Sequence, residues 1–329
     1  MIEGKKASIL LVLNILKEHS DANHYLTHQD IIDKIYALYG QELERKSVAR
    51  SIAMLEDLGY DIVKGKRGGF ALVERTFDPS EVRFLVDAIF SSKSIPGSRA
   101  QDLATKVSSE LSKNDRRTYR YLTKSTEVSR TTNKEVFYNI ELINEAIKKG
   151  KWVGFHYVDY DENGNEIFRY NDYVYHRSPC YLINNFGKYY LLAYGRHHDA
   201  VETYRVDYMK DVYMMEDRER VDPKNLKEFA PYHSITEYLN DHIYMFGGPS
   251  VHVTMALKGP YVIQYIYDWF GKNAKIHKKD DQLLAEVKCN EKAFFYWVMQ
   301  YGEHIKVLSP QSMVDKVKKA AEAILKQYE

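Results

Sequence analysis

Cysteine is scarce in this chain of 329 residues: it has two, Cys180 and Cys289, far apart in sequence. That excludes a disulfide framework and leaves no cysteine zinc site to build. Long apolar runs are missing as well, and nothing approaches the roughly 18 residues of a membrane span. The opening MIEGKKASILLVLNILKEHS spaces its apolar residues helically and offers no small-residue cleavage site, so it does not read as a secretory signal. Charge of one sign is not in excess: 47 Lys+Arg face 46 Asp+Glu, a net +1. Any basic surface must therefore be local rather than histone-like. Catalytic signatures are lacking too. There is no P-loop, no GxGxxG after a strand pattern, no GxSxG elbow and no HExxH, and nothing places two carboxylates in one site. The expectation is a cytoplasmic, non-enzymatic globular protein of two or three domains, with no catalytic residue, metal, cofactor or membrane partner.

Tyrosine is abundant, with 28 residues, and 16 of them fall in positions 138–244. Tyrosine favours half-buried strands, where the ring packs and the hydroxyl finds a partner. The middle third is expected to be β-rich and to offer rings on which bases or other flat groups can stack.

Residues 1–75 read as three helices and a hairpin. Ile9, Leu10, Leu13, Ile15 and Leu16 mark the first helix. Thr27 caps a second that carries Ile31, Ile32, Ile35 and Leu38, closed by Gly40. The third covers roughly 43–58, with Val48, Ile52 and Leu55 as its core stripe and Met54 and Leu58 beside them. Lys46 and Arg50 project from the other side, with Ala49 and Ala53 between them and the core edge, and Arg45 joins them at the helix start. Two short apolar runs then flank Lys64-Gly65-Lys66-Arg67-Gly68-Gly69. A basic helix face is often merely solvated. Three helices followed by a glycine-rich basic hairpin, however, is the order of a winged helix-turn-helix, in which cations reach phosphates and guanine edges while small residues allow close approach. Arg45, Lys46, Arg50, Lys64, Lys66 and Arg67 are the candidate DNA contacts.

Residues 76–136 read as a helical linker or dimerisation arm, with Asp78-Pro79 opening one helix, a second running through Leu103, Val107 and Leu111, and no clear period over 112–136. Residues 137–222 give one helix, then strands at 152–158, 167–175, 180–184, 188–194 and 202–208, the makings of a small barrel or strongly bent sheet. Residues 223–248 are a linker. From 249 to 329 the order is βαββαβ plus a helix, a ferredoxin-like plan.

Within the β region, Ser178-Pro179-Cys180-Tyr181-Leu182, Tyr189-Tyr190-Leu191 and Tyr204-Arg205-Val206-Asp207-Tyr208-Met209 resemble the WYL domain, whose Trp-Tyr-Leu signature would be Tyr189-Tyr190-Leu191. The last domain, in Trp297 to Gly302 and Val307-Leu308-Ser309-Pro310, resembles the extension that follows many WYL domains. The resemblance implies an α+β, multidomain bacterial transcription regulator: a winged helix-turn-helix, an Sm-like small β barrel that senses a ligand, and the ferredoxin-like extension. It makes nucleic acid or a nucleotide the expected effector. Tyr208 stands where the family pattern has an arginine, leaving Arg205 and Arg177 as the cations. Alternation puts Arg205 and Asp207 on one strand face and Tyr204, Val206 and Tyr208 on the other. The candidate ligand residues are His156, Arg177, Ser178, Tyr190, Arg205 and Tyr208. His197-His198-Asp199 reads as a loop tip rather than a metal site. The expected partner is a double-stranded operator bound by a homodimer. The rival reading is a single-stranded nucleic-acid- or RNA-binding protein acting through the tyrosine-rich barrel.

Overall fold

The structure is a computed structural model and describes residues 7–66, 68–118 and 130–329. The chain is α+β and divides into two compact units, Met1–Thr132 and Asn133–Glu329.

In the first unit, α1 (Ser8–His19), α2 (His28–Tyr39) and α3 (Arg45–Asp57) surround Leu11, Ile15, Leu16, Ile31, Ile35 and Leu55, all nearly solvent-free. A capping box opens α2. The Thr27 hydroxyl accepts from the Asp30 N–H (3.1 Å) and the Asp30 carboxylate accepts from the Thr27 N–H (2.8 Å), a device that contributes about 1 kcal/mol. Gly40, at φ 65°, ends the helix. Strands β1 (Ile62–Lys64) and β2 (Phe70–Leu72) pair antiparallel, and Leu26 adds a rung against Phe70. The connector belongs to this unit. α4 (Pro79–Ser91) and α5 (Gly97–Ser108) share a small core of Val82, Val86, Phe90, Ala100 and Ala104. A short α6 (Lys113–Thr118) follows where the sequence shows no period. Asp21 fastens this end to the hairpin region, accepting from the Ser112 hydroxyl at 2.7 Å and from Asn114 at 3.3 Å.

The second unit begins with α7 (Val136–Lys149). Strands β3 (Lys151–Tyr160), β4 (Glu166–Phe168), β5 (Val174–Asn185), β6 (Lys188–Gly195), β7 (Ala200–Arg205) and β8 (Met209–Glu219) form one sheet in the order β4-β3-β5-β6-β7, with β8 returning to pair with β3. The last strand thus lies beside the first, the connectivity of a bent, barrel-like sheet. Phe155, Leu191 and Ala193 fill its interior with no exposure. Two expectations are corrected here. The strand expected over 202–208 stops at Arg205, and Val206–Tyr208 is a 3-10 turn, so the strict alternation drawn through Tyr208 does not hold. Beyond it lies β8, which the sequence reading did not assign: most of its residues are exposed or half-buried, and it shows no clean two-residue period.

After α8 (Ile235–Asp241) come β9 (Ser250–Leu257), α9 (Val262–Phe270), β10 (Lys275–Lys279), β11 (Gln282–Asn290), α10 (Glu291–Tyr301), β12 (Ile305–Ser309) and α11 (Gln311–Leu325). The antiparallel order β10-β11-β9-β12 interleaves the two βαβ halves, as the ferredoxin-like plan requires. Trp297 and Phe294 are fully buried, and Phe270 meets Trp297 edge-on at 4.8 Å. Both cysteines are buried, and burial pushes each thiol up to about 12, so neither is a ready nucleophile. No described helix is long and apolar enough to cross a membrane.

Candidate functional site

Two regions carry the functional candidates. On α3, Val48, Ile52 and Leu55 face the core, while Arg45, Lys46 and Arg50 are exposed, as are Ala49 and Ala53 between them. Among the described residues none of these three cations makes an ion pair or side-chain hydrogen bond. Met54 and Leu58, expected beside the core stripe, are instead 55% and 67% exposed. Rotation of about 100° per residue carries them past the edge of the buried face.

At the hairpin, Lys64 and Lys66 are exposed, and Arg67 lies outside the described residues. Gly68 and Gly69 hold φ 85° and 89°. A Cβ on Gly69 would sit 3.2 Å from the Leu26 backbone, so the tip is both left-handed and tightly seated. Between this tip, the first turn of α2 and Arg45 runs a cleft of about 470 Å³ edged by Thr27, His28, Gln29 and Lys64. His28 meets Phe70 edge-on at 4.8 Å. Burial, then the nearby Arg45 charge, lowers its imidazole below the usual range and favours the neutral ring. A helix start, two cations and a neutral imidazole around one cleft suit a phosphate oxygen.

The six candidate ligand residues do not share one pocket. Arg205, Tyr208 and Tyr190 do come together. Arg205 grips Asp207 with Nε (3.1 Å) and Nη2 (2.6 Å), donates through Nη1 to the Tyr208 hydroxyl (2.9 Å), and stands opposite Tyr190 in the β6–β7 ladder. Its guanidinium lies 4.1 Å from the Tyr208 ring centroid. Arg177 is buried elsewhere, donating through Nε to Glu202 (2.9 Å) and to the Tyr204 hydroxyl (2.7 Å). His156 sits between Asp172 and Asp211, 3.2 Å from each. Ser178 is spent on the backbone, its hydroxyl accepting from the Val221 N–H at 2.8 Å.

A cleft of about 460 Å³ in this domain takes in Arg177 but not Arg205 or His156. Tyr157, Tyr175 and Tyr204 make its floor, meeting edge to face with centroids 5.5 to 6.1 Å apart. All three phenols are pushed above the usual tyrosine range, chiefly by burial, and stay protonated. Arg169 and Arg177 form the walls, 4.8 Å from the Tyr157 ring and 5.1 Å from the Tyr175 ring. Arg169 is clamped by both oxygens of Asp159, at 2.8 and 2.5 Å. On the rim, Tyr170 and Tyr173 are 77% and 47% exposed, and His197 and His198 come from the β6–β7 turn. Tyr170, Asn171 and Asp172 all hold positive φ (54°, 52° and 67°), a costly run for non-glycine residues. Sequence reasoning missed Arg169, Tyr170, Tyr173, Tyr175 and Glu202. The tyrosine density pointed to this region, but a left-handed turn ahead of β5 hides which rings converge.

Two domain families match the chain: the WYL domain over residues 138–214 and the WCX domain over residues 249–325. The chain carries a WYL domain followed by a WCX domain. The resemblance seen in Tyr189-Tyr190-Leu191 and Tyr204–Met209 is thereby borne out. Neither match reaches residues 1–132. Among solved structures, the chain is similar to proteasome accessory factor B/C (PafBC) of Arthrobacter aurescens, at 17% identity over 98% of this chain and 49% of that one, with a TM-score of 0.28. It spans about half that protein's length. A CRISPR Cas-related protein is similar at 13% identity over 98% of this chain and 85% of that one, with a TM-score of 0.37. At these scores neither likeness adds to the fold described above. No curated protein matches.

Proposed function

We propose that this chain is a sequence-specific DNA-binding transcription regulator whose affinity for its operator is set by a nucleic-acid or nucleotide effector at the WYL domain. The observation that carries it is the surface of α3: Arg45, Lys46 and Arg50 exposed and, among the described residues, without ion-pair partners, with Ala49 and Ala53 between them and Lys64 and Lys66 on the neighbouring hairpin. Such a helix meets the needs of the major groove, where guanidinium and ammonium groups reach guanine edges or phosphates and small residues let the backbone approach. One recognition helix reads few bases, so the regulator acts as a homodimer on two half-sites about one DNA turn apart. Effector binding shifts the population between two spacings of the N-terminal units.

The test is selection from a duplex library by fluorescence anisotropy, comparing the intact chain with the Lys46→Ala/Arg50→Ala variant. Enrichment of a palindromic site that the variant fails to bind is the expected result. Equal operator affinity with and without every oligonucleotide and nucleotide tried would overturn the effector mechanism. A second reading, a single-strand-binding protein acting through its β domain, is favoured by the exposed Tyr170 and Tyr173 rings. It becomes the primary one if neither protein enriches a duplex.

A further inference from the structure

We propose that the tyrosine-floored cleft of the WYL domain takes an uncharged, planar heteroaromatic ligand, a nucleobase or nucleoside, and discriminates against its phosphorylated forms and against strands. This rests on reading the domain as the effector-binding one, and it replaces the nucleic-acid or nucleotide effector proposed above with the uncharged base or nucleoside that such molecules contain.

Three arginines of this domain are paired with carboxylates. Arg169 is bound by Asp159, Arg177 by Glu202 and Arg205 by Asp207, with contacts of 2.5 to 3.1 Å. Each guanidinium therefore arrives already neutralised. A phosphate approaching Arg177 meets the Glu202 carboxylate beside it, and one approaching Arg169 meets Asp159. The attraction that makes exposed arginines good phosphate ligands is cancelled at close range.

What remains is suited to a flat, neutral ring. Arg177 and Tyr204 hold one carboxylate oxygen of the half-buried Glu202, which leaves the other to accept from a ring N–H at a nucleobase edge. The buried tyrosines below contribute ring edges and protonated hydroxyls. Above them, Tyr170 and Tyr173 leave large aromatic faces in water, held out by three consecutive left-handed residues. A ligand ring that covers those faces gains stacking without needing charge. At about 460 Å³, the cleft lies toward the lower end of small-molecule sites, roughly 300–1,000 Å³.

The experiment is calorimetric titration of the full chain with adenosine, guanosine, cytidine and uridine, with their 5′-triphosphates, and with a short oligo(dT). The proposal expects at least one nucleoside to bind as tightly as its triphosphate or tighter, with less than about a twofold change between low and high salt, since no counterions are released. Tyr170→Ala and Tyr173→Ala, both at exposed positions, should each weaken that binding by roughly tenfold through lost stacking. Glu202→Gln, which keeps the hydrogen-bonding shape and removes the charge, should move the preference toward the triphosphate. Three results would overturn the proposal: triphosphate or oligo(dT) binding about tenfold tighter and falling steeply with salt, no nucleoside binding, or nucleoside binding unchanged in both tyrosine variants. The regulator reading is judged separately by duplex selection. An enriched duplex without nucleoside binding sinks this proposal alone, and nucleoside binding at the cleft without an enriched duplex sinks the regulator reading alone.

Discussion

Helix α3 and the sheet of the WYL domain use arginine in opposite ways. On α3, Arg45 and Arg50 are exposed and free of ion pairs, beside Lys46 in the same state. In the WYL domain, Arg169, Arg177 and Arg205 are each held by a carboxylate, and Arg177 and Asp207 are all but buried. A free cation in water waits for an anion and adds little to folding. A paired guanidinium among tyrosines is part of the fold and presents shape and hydrogen bonds rather than charge. A net charge of +1 conceals this contrast, because it counts paired and unpaired cations alike.

The largest expected effect is on DNA. A groove contact is worth about 1–3 kcal/mol, so Lys46→Ala/Arg50→Ala should cost about 2–6 kcal/mol of specific duplex binding, read by anisotropy, with the thermal unfolding of the chain unmoved. The mirror experiment is Arg205→Ala, which leaves Asp207, 2% exposed, without its partner. It should destabilise the second unit by roughly 3 kcal/mol or more in thermal unfolding. An Arg205→Met/Asp207→Asn pair should recover most of that. Recovery would show the cost to be an uncompensated charge, and a stable Arg205→Ala would break the contrast.

A smaller effect concerns charges that do hold the N-terminal unit. Burial raises the Asp21 carboxyl, but hydrogen bonds from Ser112, His24, the Asn23 N–H and Asn114 outweigh it and bring the group down from 3.8 to about 2. A carboxylate depressed by folding gives stability that is present above its unfolded value and lost as pH falls through the folded one. The first unit should thus lose about 2 kcal/mol between roughly pH 4 and pH 2. Asp21→Asn should flatten that part of an acid-unfolding curve monitored by circular dichroism. The smallest effect is expected for Arg50→Ala alone on stability, within about 0.5 kcal/mol. A larger loss would mean that α3 needs this cation to fold.

Much of the architecture was legible because it rests on local signals. Thr27 with Asp30, Gly40, Pro79 and Gly150 punctuate helices through caps and φ values that the residue types themselves favour. The three-helix-and-hairpin order and the βαββαβ tail follow from apolar spacing between such marks. The candidate DNA cations were legible for the same reason, since a helix face can be counted from its period. The cleft was not. Its walls come from Arg169 before β5 and Arg177 within it, Glu202 on β7, and a rim over 170–173 whose left-handed turn no composition rule signals. Pairing register across β5, β6 and β7 decides that Arg177 meets Glu202, and register is a property of the folded sheet, whereas Arg205 meets Asp207 two residues on, through the 3-10 turn. Met54 and Leu58 failed for a milder reason: an apolar residue near a core stripe need not lie on it.

The most direct test of the contrast is a pair of salt titrations on the intact chain, one with the selected duplex and one with the nucleoside that binds. The account predicts that log K for the duplex falls steeply with log salt, with a slope shallower by about one for each phosphate-contacting cation removed from α3, while nucleoside binding stays nearly flat. A flat duplex titration, or a nucleoside affinity that falls as steeply as the duplex does, would contradict it.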